Sequence, residues 1–329
     1  MAIMPNIVTH GLMALDVYNQ IDASRVKSAI KDYPKSYLLG SNGPDILFYY
    51  QAMPWQNKEA NKAVADCGHA VHSSNINEFY NESLKFIFSI KDKRRQDILI
   101  AYIAGHLQHW VLDSLAHPFI FYRSGPLKGP RPNDHYRYES MIDSLMVLYV
   151  KRKTLQQLKV KRFVDVNEEE RRVIASFYQN MLSSVFDRNL DAKVIEDAII
   201  TFKKSLTYLY DPNNIYYPML KALDKKAKVS GKYSSHVVHS RIDAKDDVLN
   251  LKHESWSNPT NIEETSTQSF VDIYNQAIDV GIDSIEYLNE YLEGKHDNFD
   301  LLLQGRCYDT GRAEGVKMEY FDSIYLKRF

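Results

Sequence analysis

The chain has 329 residues, 44% hydrophobic and 25% charged, with a formal net charge of -1. That balance suits an ordinary globular protein with a sizeable core and gives no overall electrostatic reason to expect binding to bulk nucleic acid or acidic membranes. Cys67 and Cys307 are the only cysteines, which excludes a disulfide framework and the CxxC signature of thiolate zinc or redox sites, so any metal must be held by nitrogen and oxygen.

The opening MAIMPNIVTHGLMALDV has no basic segment followed by an apolar one, and no stretch has the uncharged length that spans a bilayer, so a cytoplasmic protein without a transmembrane segment is expected. Apolar residues recur at three- and four-residue spacing without sustained alternation, which predicts an all-α fold. Over residues 74–91, Ile76, Phe79, Tyr80, Leu84, Ile87 and Phe88 form one stripe, with Ser74 or Asn75 as N-cap. The next helix is predicted from about Asp92 to His117. GPLKGPRPND then breaks the pattern, and another helix runs from about Asp134 to Lys153. The basic stretch 150–162 reads as a solvated helix end. Further helical patterns cover about 167–186, 192–209, 213–228, 264–293 and 312–326, and residues 229–262 form the longest irregular excursion. Without a flexible linker or repeat, residues 1–329 read as one helical domain, with chemistry concentrated in about 5–150 and C-terminal helices over about 165–329.

Seven of the 11 histidines fall within the first 135 residues. At 100° per residue, His109, Asp113 and His117 share one helix face, and His135 with Glu139 repeats the i, i+4 device on the next helix. Trp110, Val111, Leu112, Leu115, Phe119 and Ile120 imply that the first of these helices is buried. Buried imidazoles and carboxylates are costly unless a cation compensates them, and facing helices that project such groups inward are how a bundle builds a polynuclear metal site. A satisfied polar network is the alternative.

The run GHLQHWVLDSLAHPFI, followed by HYRYE and preceded by VTHGLMALDV and GPDILFYY, resembles the zinc-dependent phospholipase C family over about residues 5–150. The resemblance implies a multi-helix bundle with two or three zinc ions in its core and a ligand order His, Asp, His, HxxxD, His, HxxxE. Carried over, His10 is the first ligand, Asp45 a ligand and catalytic general base, and either His72, the favoured choice, or His69 the third. His109 and Asp113 supply HxxxD, with Asp113 bridging two ions, and His117, His135 and Glu139 hold another. His106 and Asp143 become candidates for supporting contacts behind the ligands. Secreted members also use an N-terminal Trp exposed by signal cleavage, whereas this chain begins MAIMPN, so the ion nearest His10 is expected to be the weakest. The three-residue step between Asp113 and His117 is shorter than in secreted lipases and nearer the anchor-cleaving relatives.

Such a site implies a phosphodiesterase using metal-activated water on a phosphoester substrate, phospholipids among the candidates, with no stable nucleic-acid complex. The alternatives are a single-strand zinc nuclease, whose last ligand is typically Asp where Glu139 stands here, and a non-catalytic metal-binding scaffold. No GxSxG, GxxxxGK[ST] or GxGxxG is present, which leaves serine-hydrolase, P-loop and dinucleotide readings without a motif. His236 and His239 in HVVH have metal-compatible spacing but sit in a polar loop without a carboxylate pattern.

Overall fold

The computed structural model describes residues 7–53, 56–241 and 246–325. In chain order the helices are α1 (Ile7–Gln20), α2 (Arg25–Asp32), α3 (Pro34–Gly40), α4 (Lys58–Ser73), α5 (Ile76–Ser89), α6 (Lys93–Ser124), α7 (Asp134–Lys151), α8 (Glu168–Phe186), α9 (Ala192–Leu209), α10 (Tyr216–Lys226), α11 (Phe270–Leu292) and the short α12 (Asp300–Leu303), with a 3-10 turn over Gly43–Tyr49. The protein is all-α. Its only regular strands among the described residues are two small pairs, β1 (Tyr210–Asp211) with β2 (Val238–His239), and β3 (Trp256–Asn258) with β4 (Asn261–Ser266). No helix of the described residues is long and apolar enough to cross a membrane.

Everything is arranged around α6. Its 32 residues make a rod about 48 Å long, started by Asp92, whose side chain accepts from the amides of Arg94 and Arg95. From Ile98 onward it is buried on nearly every face, as expected of a helix that is apolar all round and enclosed by its neighbours. Helix α3 crosses it closely enough that a Cβ on Gly105 would come within 2.0 Å of the Tyr37 carbonyl oxygen, and one on Gly40 within 2.1 Å of that of Tyr102. Only two glycines allow this approach, which sets the start of the 3-10 turn against the middle of α6. About 60° further around the same helix, α11 docks through Gln108, whose amide donates to Gly281 O and Ser284 Oγ.

Most sequence-predicted helices form close to their expected limits, and α1 to α4 lie in the stretch before residue 74 where no individual helix was delimited. Three expectations need correction. Helix α6, expected to end near His117, continues through Pro118 to Ser124. Helix α11 begins at Phe270 rather than near 264, because Ser269 and Asp272 form a reciprocal capping box there and residues 261–266 pair as β4. Residues 312–326 are not helical where described. Their amides are taken by distant carbonyls, Glu319 and Tyr320 by Pro259, Asp322 by Tyr122 and Ile324 by Arg123, so the segment runs as an extended strap along the end of α6. The irregular excursion over 229–262 contains β2, β3 and the first residues of β4.

Candidate metal centre

Three buried groups of side chains have donor atoms close enough to share an ion: His10, His109 and Asp113; Asp45, His72 and His109; and His117, His135 and Glu139. They form one continuous array. Asp113 Oδ1 lies 3.0 Å from His10 Nε2 and 3.8 Å from His117 Nε2, while its Oδ2 lies 3.1 Å from His109 Nε2. Asp45 Oδ1 is 3.0 Å from His72 Nε2 and 3.8 Å from His109 Nε2. Glu139 Oε1 is 3.3 Å from His135 Nε2 and 3.5 Å from His117 Nε2. Ligands bound tetrahedrally at 2.0–2.1 Å stand about 3.3 Å from one another, so this spacing suits donors around a zinc-sized ion.

Local structure explains how the chain brings them together. His109, Asp113 and His117 are successive i, i+4 positions of α6, and His135 with Glu139 opens α7 after the Pro-rich turn. Asp45 lies in the 3-10 turn, whose Gly43 has φ +46° and leaves no room for a Cβ, which would lie 2.3 Å from His109 Cδ2. His10 rides on α1, and α1 is fixed by Asp143 of α7, which accepts from the Val8 and Thr9 amides at 3.1 and 2.8 Å and from Thr9 Oγ1 at 2.7 Å. Asp143 is thus fully buried support for the element carrying His10, at the N-terminal end where a helix favours negative charge.

Four of the histidines are turned the same way. Nδ1 of His72 faces Gly68 O at 2.8 Å, that of His109 faces Ser41 O at 3.2 Å, that of His117 faces Tyr308 O at 3.1 Å, and that of His135 faces Ser124 Oγ at 3.2 Å. Three of these partners are carbonyls, which only accept, so Nδ1 of His72, His109 and His117 carries a proton, and once each ring is neutral its Nε2 presents a lone pair to the array. His72 Nε2, His109 Nε2, Asp45 Oδ1 and Glu139 Oε2 are buried with no hydrogen-bond partner outside the array itself. Polar atoms left so are rare, and a nitrogen-and-oxygen donor set of this kind fits zinc.

The electrostatics carry the same message. Burial alone would lower His72 and His117, but Asp45 lifts His72 to about 9, and Asp113 with Glu139 lifts His117 to about 10. Burial opposes the charge of Asp113 as well, yet His109, His117 and His10 hold its carboxyl well below the ordinary range. His109, where burial dominates, is lowered. The carboxylates therefore demand positive charge in a closed space.

His69 is exposed and packs its ring on Phe48, outside the array. His106 also stays out of it: Nδ1 faces the Tyr80 hydroxyl at 2.8 Å and Nε2 that of Tyr178 at 3.1 Å, a polar network sealed in the core. His236 and His239 lie elsewhere, against Tyr136 and Tyr217. Residues 1–6, and with them the N-terminal amine, fall outside the described residues. Sequence reasoning missed Tyr308 and Asp309. The Tyr308 amide donates to His72 O at 3.1 Å, its carbonyl faces His117, and Asp309 Oδ1 stands 3.8 Å from His117 Nδ1 with its side chain 35% exposed at the edge of the site. CYDTG offers turn chemistry but no spacing that ties it to residues nearly two hundred positions earlier.

The zinc-dependent phospholipase C family model matches residues 9–191. The chain belongs to that family. No curated protein and no solved structure gives a significant match. The matched span contains every member of the array from His10 to Glu139, whereas Tyr308 and Asp309 lie beyond it. All the donors in the array are nitrogen or oxygen, with no thiolate among them.

Proposed function

We propose that the protein is a zinc-dependent phosphodiesterase of the phospholipase C type, with His10, Asp45, His72, His109, Asp113, His117, His135 and Glu139 holding two or three zinc ions. Zinc, when bound, supplies Lewis acidity toward phosphate oxygens and a water acidified toward neutrality. Asp113 spans the His10 and His117 sides of the array with one oxygen and His109 with the other, the placement of a carboxylate shared between ions. Asp45 orients the attacking water and accepts its proton, a role for a carboxylate beside the ions but open to the substrate side.

The observation that carries this reading is the contrast in enclosure among the carboxylates. The Asp113 and Glu139 side chains are 3% and 2% exposed, whereas that of Asp45 is 10% exposed beside His72 and His109. Asp113 and Glu139 are therefore structural to the array, and Asp45 is the acid that an incoming phosphoester can meet. The test is metal analysis of protein prepared without chelator, followed by hydrolysis of a small phosphodiester, a phosphatidylcholine and single-stranded DNA. Cleavage of the first two with two or more zincs per chain is expected. Fully metallated protein that cleaves no phosphoester would overturn the proposal in favour of a metal-bearing scaffold, and a preference for DNA would turn it toward a nuclease.

A further inference from the structure

Helix α10 has an unusual surface. Ile215, Tyr216, Met219 and Leu223 are 59%, 43%, 67% and 43% exposed, and at 100° per residue they fall within about a quarter-turn arc of one another. An adjoining side of the same helix presents Lys221 and Lys225. These two join Arg137 of α7, Arg241 and His239 in lining a cleft of about 500 Å³. Between Ile215 and Arg241 the chain carries Lys221, Lys225, Lys226, Lys228, Lys232 and Arg241, all exposed, against the single acid Asp224. Asp224 is already used, accepting from the Tyr233 and Ser234 amides and from Ser234 Oγ. Among the described residues, none of Arg137, Lys221, Lys225 and Arg241 makes an ion pair. Burial and then Arg137 push His239 down to about 4, with Lys221 and Arg241 adding to the effect, so the cleft wall is crowded with positive charge. In a chain with a net charge of -1, this face thus sets a local run of unpaired cations beside exposed apolar side chains.

We infer that α10 and the basic cleft beside it form a docking surface for an anionic phospholipid bilayer, the apolar ridge of Ile215, Met219 and Leu223 entering the headgroup boundary while Lys221, Lys225, Arg137 and Arg241 take the lipid phosphates. An amphipathic helix with large apolar side chains on one face and Lys on another lies in a membrane interface in this way, its lysine stems reaching back to the headgroups. A single-stranded nucleic acid would call for a series of free aromatic stacking platforms; the ridge has one exposed ring, Tyr216, beside Ile215, Met219 and Leu223, and the Tyr217 ring in the cleft is already stacked on His239. The surface also has a defined relation to the metal array: α7 carries His135 and Glu139 on one face and Arg137 and Met141 on the opposite one.

The inference is tested by co-sedimenting the zinc-loaded full chain with vesicles of phosphatidylcholine alone or of phosphatidylcholine with phosphatidylglycerol, at low and high salt, and by titrating a fluorescent single-stranded oligonucleotide. Binding to the anionic vesicles is expected, weakened by salt. Lys221→Glu with Lys225→Glu, and separately Met219→Ser with Leu223→Ser, should each reduce it by at least about tenfold, while zinc content and melting temperature stay at wild-type values. Equal binding to both kinds of vesicle, no binding, or wild-type binding by either double variant would overturn it. So would tighter binding of the oligonucleotide, or loss with the charge reversals alone, which would mark a soluble polyanion as the ligand.

Discussion

Asp143 grips Thr9 twice, through the amide and through the hydroxyl, and adds the amide of Val8, so that α7 holds the first turn of α1 in place. Each donor is buried, and leaving one unsatisfied costs about 1–3 kcal/mol. Asp143→Ala should therefore lower thermal stability clearly, and Asp143→Asn, which keeps the oxygen facing Thr9, should lower it less. Because His10 travels with α1, zinc lost from Asp143→Ala should come from the His10 group while the His117 group stays filled. Calorimetry with zinc analysis checks both, and a variant as stable and as fully metallated as wild type would remove Asp143 from this role.

The three donor groups are not equivalent in how they share residues. His109 belongs to two of them, whereas His117, His135 and Glu139 share none with the others. His109→Ala should consequently cost more bound zinc per chain than Glu139→Gln, which should empty one position only. Metal-to-protein ratios after exhaustive dialysis give the answer, and equal losses from both variants would mean that the groups load as a single unit.

Asp45 and Asp113 should separate binding from turnover. Asp45→Asn keeps size and one acceptor oxygen but removes the charge that draws the proton, so turnover on a phosphodiester should fall on the order of a hundred- to ten-thousandfold at near-normal zinc content. Asp113→Asn should lose zinc and activity together, since its two oxygens address His10, His117 and His109 at once. Unchanged turnover in fully metallated Asp45→Asn protein would end the general-base assignment.

Much of this array is legible in the chain because helices convert spacing into direction. The i, i+4 steps on α6 and α7 place five of the donors without any tertiary knowledge. His72 over His69 was not decidable from spacing alone; packing separates them, since His72 faces inward to Gly68 O while His69 is exposed. The strap over 312–325 misled because Val316, Tyr320 and Ile324 imitate helical spacing at successive i, i+4 steps, while the backbone partners that hold it extended, Pro259, Tyr122 and Arg123, are remote in sequence. Tyr308 is hidden for the same reason.

The metal-free protein should respond to pH through its paired histidines. His72 and His117 are raised in the folded chain to about 9 and about 10 from an unfolded value near 6.5, so they contribute stability that is complete below about pH 6.5 and is lost as pH rises through those folded values. Zinc requires both rings neutral, and loading at pH 7 should therefore expel about two protons per chain from these residues. Calorimetric titration in buffers of different ionisation enthalpy counts them. Zinc uptake with no proton release would show that neither histidine is protonated beforehand.

Tyr308 closes the support of both His72 and His117, and 191 residues separate it from the latter. A ribosome making this chain delivers every proposed zinc donor, from His10 to Glu139, long before it delivers that tyrosine. Domains begin to fold as they emerge, so a nascent chain passes through a stage in which the donors are present but His117 lacks the carbonyl that fixes its ring. Metal captured at that stage would be held by a looser cage, and the site would tighten only once Tyr308 had been delivered.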